Sequence, residues 1–83
     1  MASGTVELTA VLNQLAGTKN LGIQMAANFY AYGSDHGNGI LKALNDKAGQ
    51  TGMGLNEVCN HIAGTTGLEA KRALNIHAGN TTS

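Results

Sequence analysis

Cys59 and His61 form a Cys-x-His pair, and His36 and His77 complete the chain's three histidines. A structural zinc site asks for four thiolate or imidazole ligands at suitable spacing. One cysteine and three dispersed histidines do not supply that pattern, so no metal is expected. Ser34-Asp35-His36 brings a hydroxyl, a carboxyl and an imidazole into one run, the residue types of a hydrolytic triad. Triads, however, converge from separate segments onto an oriented pocket. Neighbouring residues of a glycine-rich turn point different ways, so the expectation is a solvated loop and not an enzyme. Gly33, Gly37 and Gly39 lack the following lysine and preceding strand of a phosphate-binding loop, and no cofactor is expected. Phe29, Tyr30 and Tyr32 are the chain's aromatic residues. A base-stacking platform needs basic neighbours, and the nearest one before them is Lys19. Core packing or a protein interface accounts for them better, and Phe29, Tyr30, Tyr32, Asp35 and His36 form the candidate partner contact. Asn80-Thr81-Thr82 fits the glycosylation pattern, which has meaning only on a secreted chain.

The five basic and five acidic residues cancel and are spread along the chain. Binding to nucleic acid draws on a surplus of Lys and Arg that releases counterions from phosphates; a balanced chain lacks that surplus. Membrane association is not expected either, since no apolar run approaches the ~20 residues that span a bilayer. Met1-Ala2-Ser3-Gly4-Thr5 lacks the basic start and apolar stretch of a signal peptide, and a lone cysteine suits a reducing compartment. With 83 residues, one domain spanning 1–83 is expected, ending in a disordered tail from about 80 to 83. Leu, Ile, Val and Phe supply only 17 side chains and Trp none. So little bulk points to close backbone approach, or to burial against a second chain, and favours a multi-copy assembly.

A repeat organises these residues. Asn13, Asn28, Asn45, Asn60 and Asn75 are spaced 15, 17, 15 and 15 residues apart, and each is followed three positions later by alanine. Those alanines are Ala16, Ala31, Ala48, Ala63 and Ala78. Gly17, Gly49, Gly64 and Gly79 come next, with Tyr32 and then Gly33 in the second copy. Apolar residues recur one, five and, except at Asn38, seven positions before each Asn. The two extra residues of the second copy lengthen only its turn, Ala31 to Gly39.

The apolar stripe predicts helices near 5–16, 21–32, 39–48, 53–63 and 68–78. Each ends on a glycine able to take the left-handed conformation. Thr66 is a candidate N-cap for the last, and Glu69 then falls in its first turn, at the positive end of the dipole. Helices this short are marginal alone. The fold expected is all-α: five short helices from a 15-residue repeat, in a compact bundle or short solenoid, with short turns favouring antiparallel neighbours. Ala and Gly are expected to let the helices approach closely. Asn is a poor helix former, so its recurrence inside every helix needs a reason. An amide can both donate to and accept from main chain. The expectation is a ladder in which Asn13, Asn28, Asn45, Asn60 and Asn75 each staple a turn to the next unit, worth roughly 1–3 kcal/mol per rung. The repeat also places Cys59 in a register held elsewhere by Leu12, Ala27, Leu44 and Leu74, as a buried apolar residue.

Ala63-Gly64-Thr65-Thr66-Gly67-Leu68-Glu69-Ala70, continued by Ala73-Leu74-Asn75 and Ala78-Gly79, resembles virion proteins of tailed phages infecting actinobacteria. In those proteins similar Ala-Gly-Thr-Thr-Gly-Leu runs recur with an Ala-x-Asn or Ala-Leu-Asn step. Leu15-Ala16-Gly17-Thr18-Lys19-Asn20-Leu21-Gly22 and Lys47-Ala48-Gly49-Gln50-Thr51-Gly52-Met53-Gly54 match more loosely, and the second copy departs at Tyr32 and its long loop. The resemblance implies a virion structural protein made in the host bacterial cytoplasm, with phage capsid or tail proteins as partners. A minor capsid or decoration subunit stabilising the head is the first expectation. A tail component, or a small soluble protein-binding adaptor, are the alternatives.

Overall fold

Each helix begins one to three residues later than the apolar stripe predicts, and the N-cap residue before it is extended. In the structure, a computed structural model describing residues 5–81, α1 spans Leu8–Ala16, α2 Ile23–Tyr32, α3 Ile40–Ala48, α4 Leu55–Ala63 and α5 Ala70–Ala78. Met1 to Gly4, Thr82 and Ser83 lie outside the described residues, and with them two of the four expected tail positions. The N-cap residues are Glu7, Gly22, Gly39, Gly54 and Glu69, with φ between −63° and −72° and ψ between 155° and 166°. The carbonyl of each accepts the first helical bond, from Val11, Ala26, Ala43, Val58 and Ala73, at 2.8–3.0 Å. Thr66 is therefore not an N-cap. It sits in the bend before α5, and Glu69 takes the cap position without a side-chain cap bond.

The helix ends follow the sequence closely. Gly17, Gly33, Gly49, Gly64 and Gly79 adopt φ of 72–83° as the helices stop. In four units the amide two residues past the last helical one returns to the carbonyl of the repeated Asn: Thr18 to Asn13, Gln50 to Asn45, Thr65 to Asn60 and Asn80 to Asn75, at 2.8–3.0 Å. That is the six-to-one bond of a Schellman ending. A Cβ built on these glycines would meet nothing within 4 Å. They serve the left-handed turn and not close helix approach, which corrects the second role expected of them.

The helices form a closed cycle. Each touches only its two neighbours along the chain, and α5 packs back on α1. The fold is all-α among the described residues, a flat disc with extents of 35 × 27 × 14 Å. It is a ring and not an open solenoid. Strict up–down alternation cannot hold at every contact of a five-membered cycle, so at least one touching pair is not antiparallel. No helix of the described residues is long and apolar enough to cross a membrane.

The core lies at the centre of the cycle. Every unit contributes the Asn and the two residues before it: Val11-Leu12, Ala26-Ala27, Ala43-Leu44, Val58-Cys59 and Ala73-Leu74, all fully buried. The outer apolar positions, among them Leu8, Ile23, Ile40 and Leu55, pack partly buried around this cluster. Closure meets the shortage of bulk within a single chain. A stack with two open ends would leave two helix faces in water and call for caps; the cycle has no ends to cover.

Candidate functional site

The repeated asparagines make the most regular polar constellation in the molecule, and all five are buried, with at most 8% exposure. Each sits in the last turn but one of its helix. Its Nδ2 donates one hydrogen to the carbonyl four residues earlier: Asn13 to Thr9, Asn28 to Gln24, Asn45 to Leu41, Asn60 to Asn56 and Asn75 to Lys71, at 2.7–2.9 Å. The second hydrogen goes to the carbonyl of the non-helical residue just before the next N-cap: Leu21, Asn38, Met53, Leu68 and, for Asn75, Val6, at 2.7–3.1 Å. The amide N–H of that same residue donates back to Oδ1 at 2.9–3.2 Å. The carboxamide thus clamps both main-chain groups of one residue, as a neighbouring strand would.

Three clamps recruit a further donor to Oδ1. Thr18 Oγ1 reaches Asn13 at 2.9 Å, Thr65 Oγ1 reaches Asn60 at 2.8 Å, and Asn80 Nδ2 reaches Asn75 at 3.0 Å. In these units the amide fills both donor and both acceptor positions. Among the described residues every buried side-chain nitrogen or oxygen has a partner, the condition under which buried polar groups stabilise. Asn80, expected in a disordered tail, is instead buried and exchanges amide bonds with Gln14 at 2.9 and 2.7 Å. Its register, five past the repeated Asn, is that of Thr18 and Thr65, a donor-bearing position visible in the sequence once aligned. Asn56 is likewise outside the predicted set, yet its Oδ1 accepts the amide of Ala70 at 2.8 Å and so helps to start α5.

The candidate contact residues divide. Tyr30 turns inward, half-buried against the core, with Lys47 Nζ 4.8 Å from its ring centre. Burial, with a smaller contribution from nearby Cys59, raises its pKa. Phe29, next to it, is partly buried on the helix, and its carbonyl receives the closing bond from Gly33 at 2.9 Å. Tyr32, Asp35 and His36 gather in the enlarged loop. The rings of Tyr32 and His36 stack with centres 4.4 Å apart. The Tyr32 hydroxyl donates to Asp46 on α3 and accepts from Asn38 Nδ2 at 3.0 Å, while Lys42 pairs with Asp46 at 3.4 Å. The bond to Asp46 raises the pKa of Tyr32, and the same bond lowers that of Asp46, with Lys42 adding to the latter.

Asp35 accepts the amide of Gly37 at 2.9 Å, and His36 Nδ1 lies 3.2 Å from the Ser34 carbonyl and 3.4 Å from its hydroxyl. Asp35 is committed to the turn, and the Ser34-Asp35-His36 run is a self-bonded loop and not a relay of the triad kind. Cys59 is fully buried, and burial pushes its thiol up to about 11. His61 lies on the exposed side of α4, with Nε2 3.3 Å from Gln50 Nε2, and His77 is exposed near the end of α5. Comparison with family models, curated proteins and solved structures finds no match.

Proposed function

We propose that the chain is a structural protein of a bacteriophage particle, a minor capsid or decoration subunit present in many copies on the head. The Ala-Gly-Thr-Thr-Gly-Leu resemblance supports a virion role. One structural observation carries the choice of a contact protein. Leu41, 42% exposed near the start of α3, adjoins the enlarged loop with its Tyr32–His36 stack. An exposed leucine beside a ring stack offers the apolar and aromatic contact that an interface core uses. The loop is tied down by Asp46, Asn38 and its own turn bonds, so little ordering would accompany docking. The role is to add contacts between shell subunits, with no chemistry of its own.

Mass spectrometry of purified particles tests the reading. Stoichiometric presence is expected, with density for the disc on the head in electron microscopy. Density on the tail would move the subunit to the alternative virion site. Absence from particles, with the chain recovered in the soluble fraction bound to another protein, would overturn the reading in favour of an adaptor.

A further inference from the structure

Four of the five junctions in the ring are continuous in the chain, a turn carrying the backbone from one helix to the next. The fifth, between α5 and α1, has no such link. It is held by the same clamp, Asn75 on the N–H and carbonyl of Val6 at 2.9 and 3.0 Å. Two cross-links reinforce it: the reciprocal Gln14–Asn80 amide pair at 2.9 and 2.7 Å, and the Lys71–Glu7 ion pair at 3.3 Å. These polar links bridge residues 6–14 to residues 71–80. Across the seam the clamp touches only main-chain atoms of Val6, so any copy of the N-terminal segment offers it the same groups.

We propose that the α5–α1 seam is an exchangeable junction through which copies of this chain join head to tail, Val6 of one copy seating on Asn75 of the next. Opening the seam breaks no helix, and a ring of more than five units needs a smaller bend at each junction, which the turns between helices absorb. Closure onto a second copy restores the same set of bonds. The two edges are complementary to each other and not to themselves, so the contact is heterologous: two open copies make a ten-helix ring, and more make a larger ring or a filament. Closure within one chain has an effective concentration on the order of millimolar. The monomer therefore prevails in dilute solution, and exchange sets in where copies are crowded to that level. This inference stands apart from the virion reading, because a soluble adaptor would exchange in the same way.

A pair of charge reversals tests it on exposed side chains. Glu7→Lys alone places two cations across the seam, and Lys71→Glu alone places two anions there. In an exchanged dimer of one chain of each kind, both seams regain an opposite-charge pair. The two proteins, one isotopically labelled, are mixed at about 1 mM to match that effective concentration, warmed to just below the unfolding midpoint, cooled and diluted. Size exclusion and native mass spectrometry then read the species. Mixed dimers should exceed the statistical one-half of all dimers severalfold at low salt, and the excess should fade as salt screens the pairs. Monomer alone at every concentration, or dimers in statistical proportion, would overturn the proposal.

Discussion

Replacing Asn60 by leucine, close to it in shape, removes one clamp and leaves the packing nearly filled. Four bonds disappear: to the carbonyls of Asn56 and Leu68, from the amide of Leu68, and from the hydroxyl of Thr65. The Asn56 carbonyl keeps its place in the helix, and Thr65, half-buried, can turn to water. The Leu68 N–H and carbonyl are left facing an apolar side chain. A stranded buried group costs about 1–3 kcal/mol. Leu68 is itself only partly buried, so about 2–4 kcal/mol for the two together is the fitting range. A domain of this length has about 4–12 kcal/mol of stability, and each kcal/mol moves its midpoint by roughly 4–8 °C. Thermal unfolding followed by circular dichroism should show Asn60→Leu melting roughly 10–30 °C lower. Asn60→Asp adds a test of sign. The carboxylate still accepts from Leu68 and Thr65 but faces two carbonyls without a proton to give. Its folded pKa is then raised, so stability is present below the unfolded value and lost as pH rises through the folded one. Asn60→Asp should therefore recover stability on acidification. A leucine variant melting within ~2 °C of the parent would refute the clamp as a source of stability at this site.

Tyr32→Phe removes the bond that shifts two groups in opposite directions. Asp46 is lowered from 3.8, so its contribution is present above that value and lost as pH falls through the folded pKa; Tyr32 is raised from 10.0, so its contribution is lost as pH rises through the folded pKa. Unfolding midpoints measured across pH should show both limbs flattened in Tyr32→Phe. Asn20 occupies the left-handed position, φ 61°, that Gly37, Gly52 and Gly67 hold in the other turns at 71–77°. Asn20→Gly should leave the denaturant midpoint unchanged or slightly raised, whereas Gly67→Ala should lower stability by about 1–2 kcal/mol. Cys59, fully buried with its thiol near 11, should resist alkylation by iodoacetamide at pH 8 until the chain is unfolded by denaturant.

The asparagine register and the glycine stops were legible because each is a chemical singularity: an unfavourable residue repeated inside helices, and a residue that alone accepts positive φ without strain. Helix starts were misread for a physical reason. Val6, Leu21, Met53 and Leu68 continue the apolar stripe, yet each stays outside the helix with its main chain bonded to an asparagine. Asn38 breaks the apolar pattern at this register without breaking the clamp. Closure of the ring was open to simple counting. An open chain of five units leaves one asparagine and one pre-helix residue unmatched, and these are Asn75 and Val6, the pair that meets. Asn80 follows the last helix, which puts it among the expected tail residues, although its register matches Thr18 and Thr65. Tyr30 and Tyr32 both pack against the core, and the reach of the Tyr32 hydroxyl to Asp46 depends on where α3 lies and has no signature in the local sequence.

Amide hydrogen exchange at the five clamped residues, Val6, Leu21, Asn38, Met53 and Leu68, tests the clamp most directly, since all five lie outside the helices. Bonded to buried carboxamides around a closed ring, they should exchange as slowly as the amides of Val11 or Ala73, opening only with global unfolding. Exchange at the rate of exposed turn amides such as Thr51 or Thr66, at Val6 above all, would mean that the asparagines do not hold the ring.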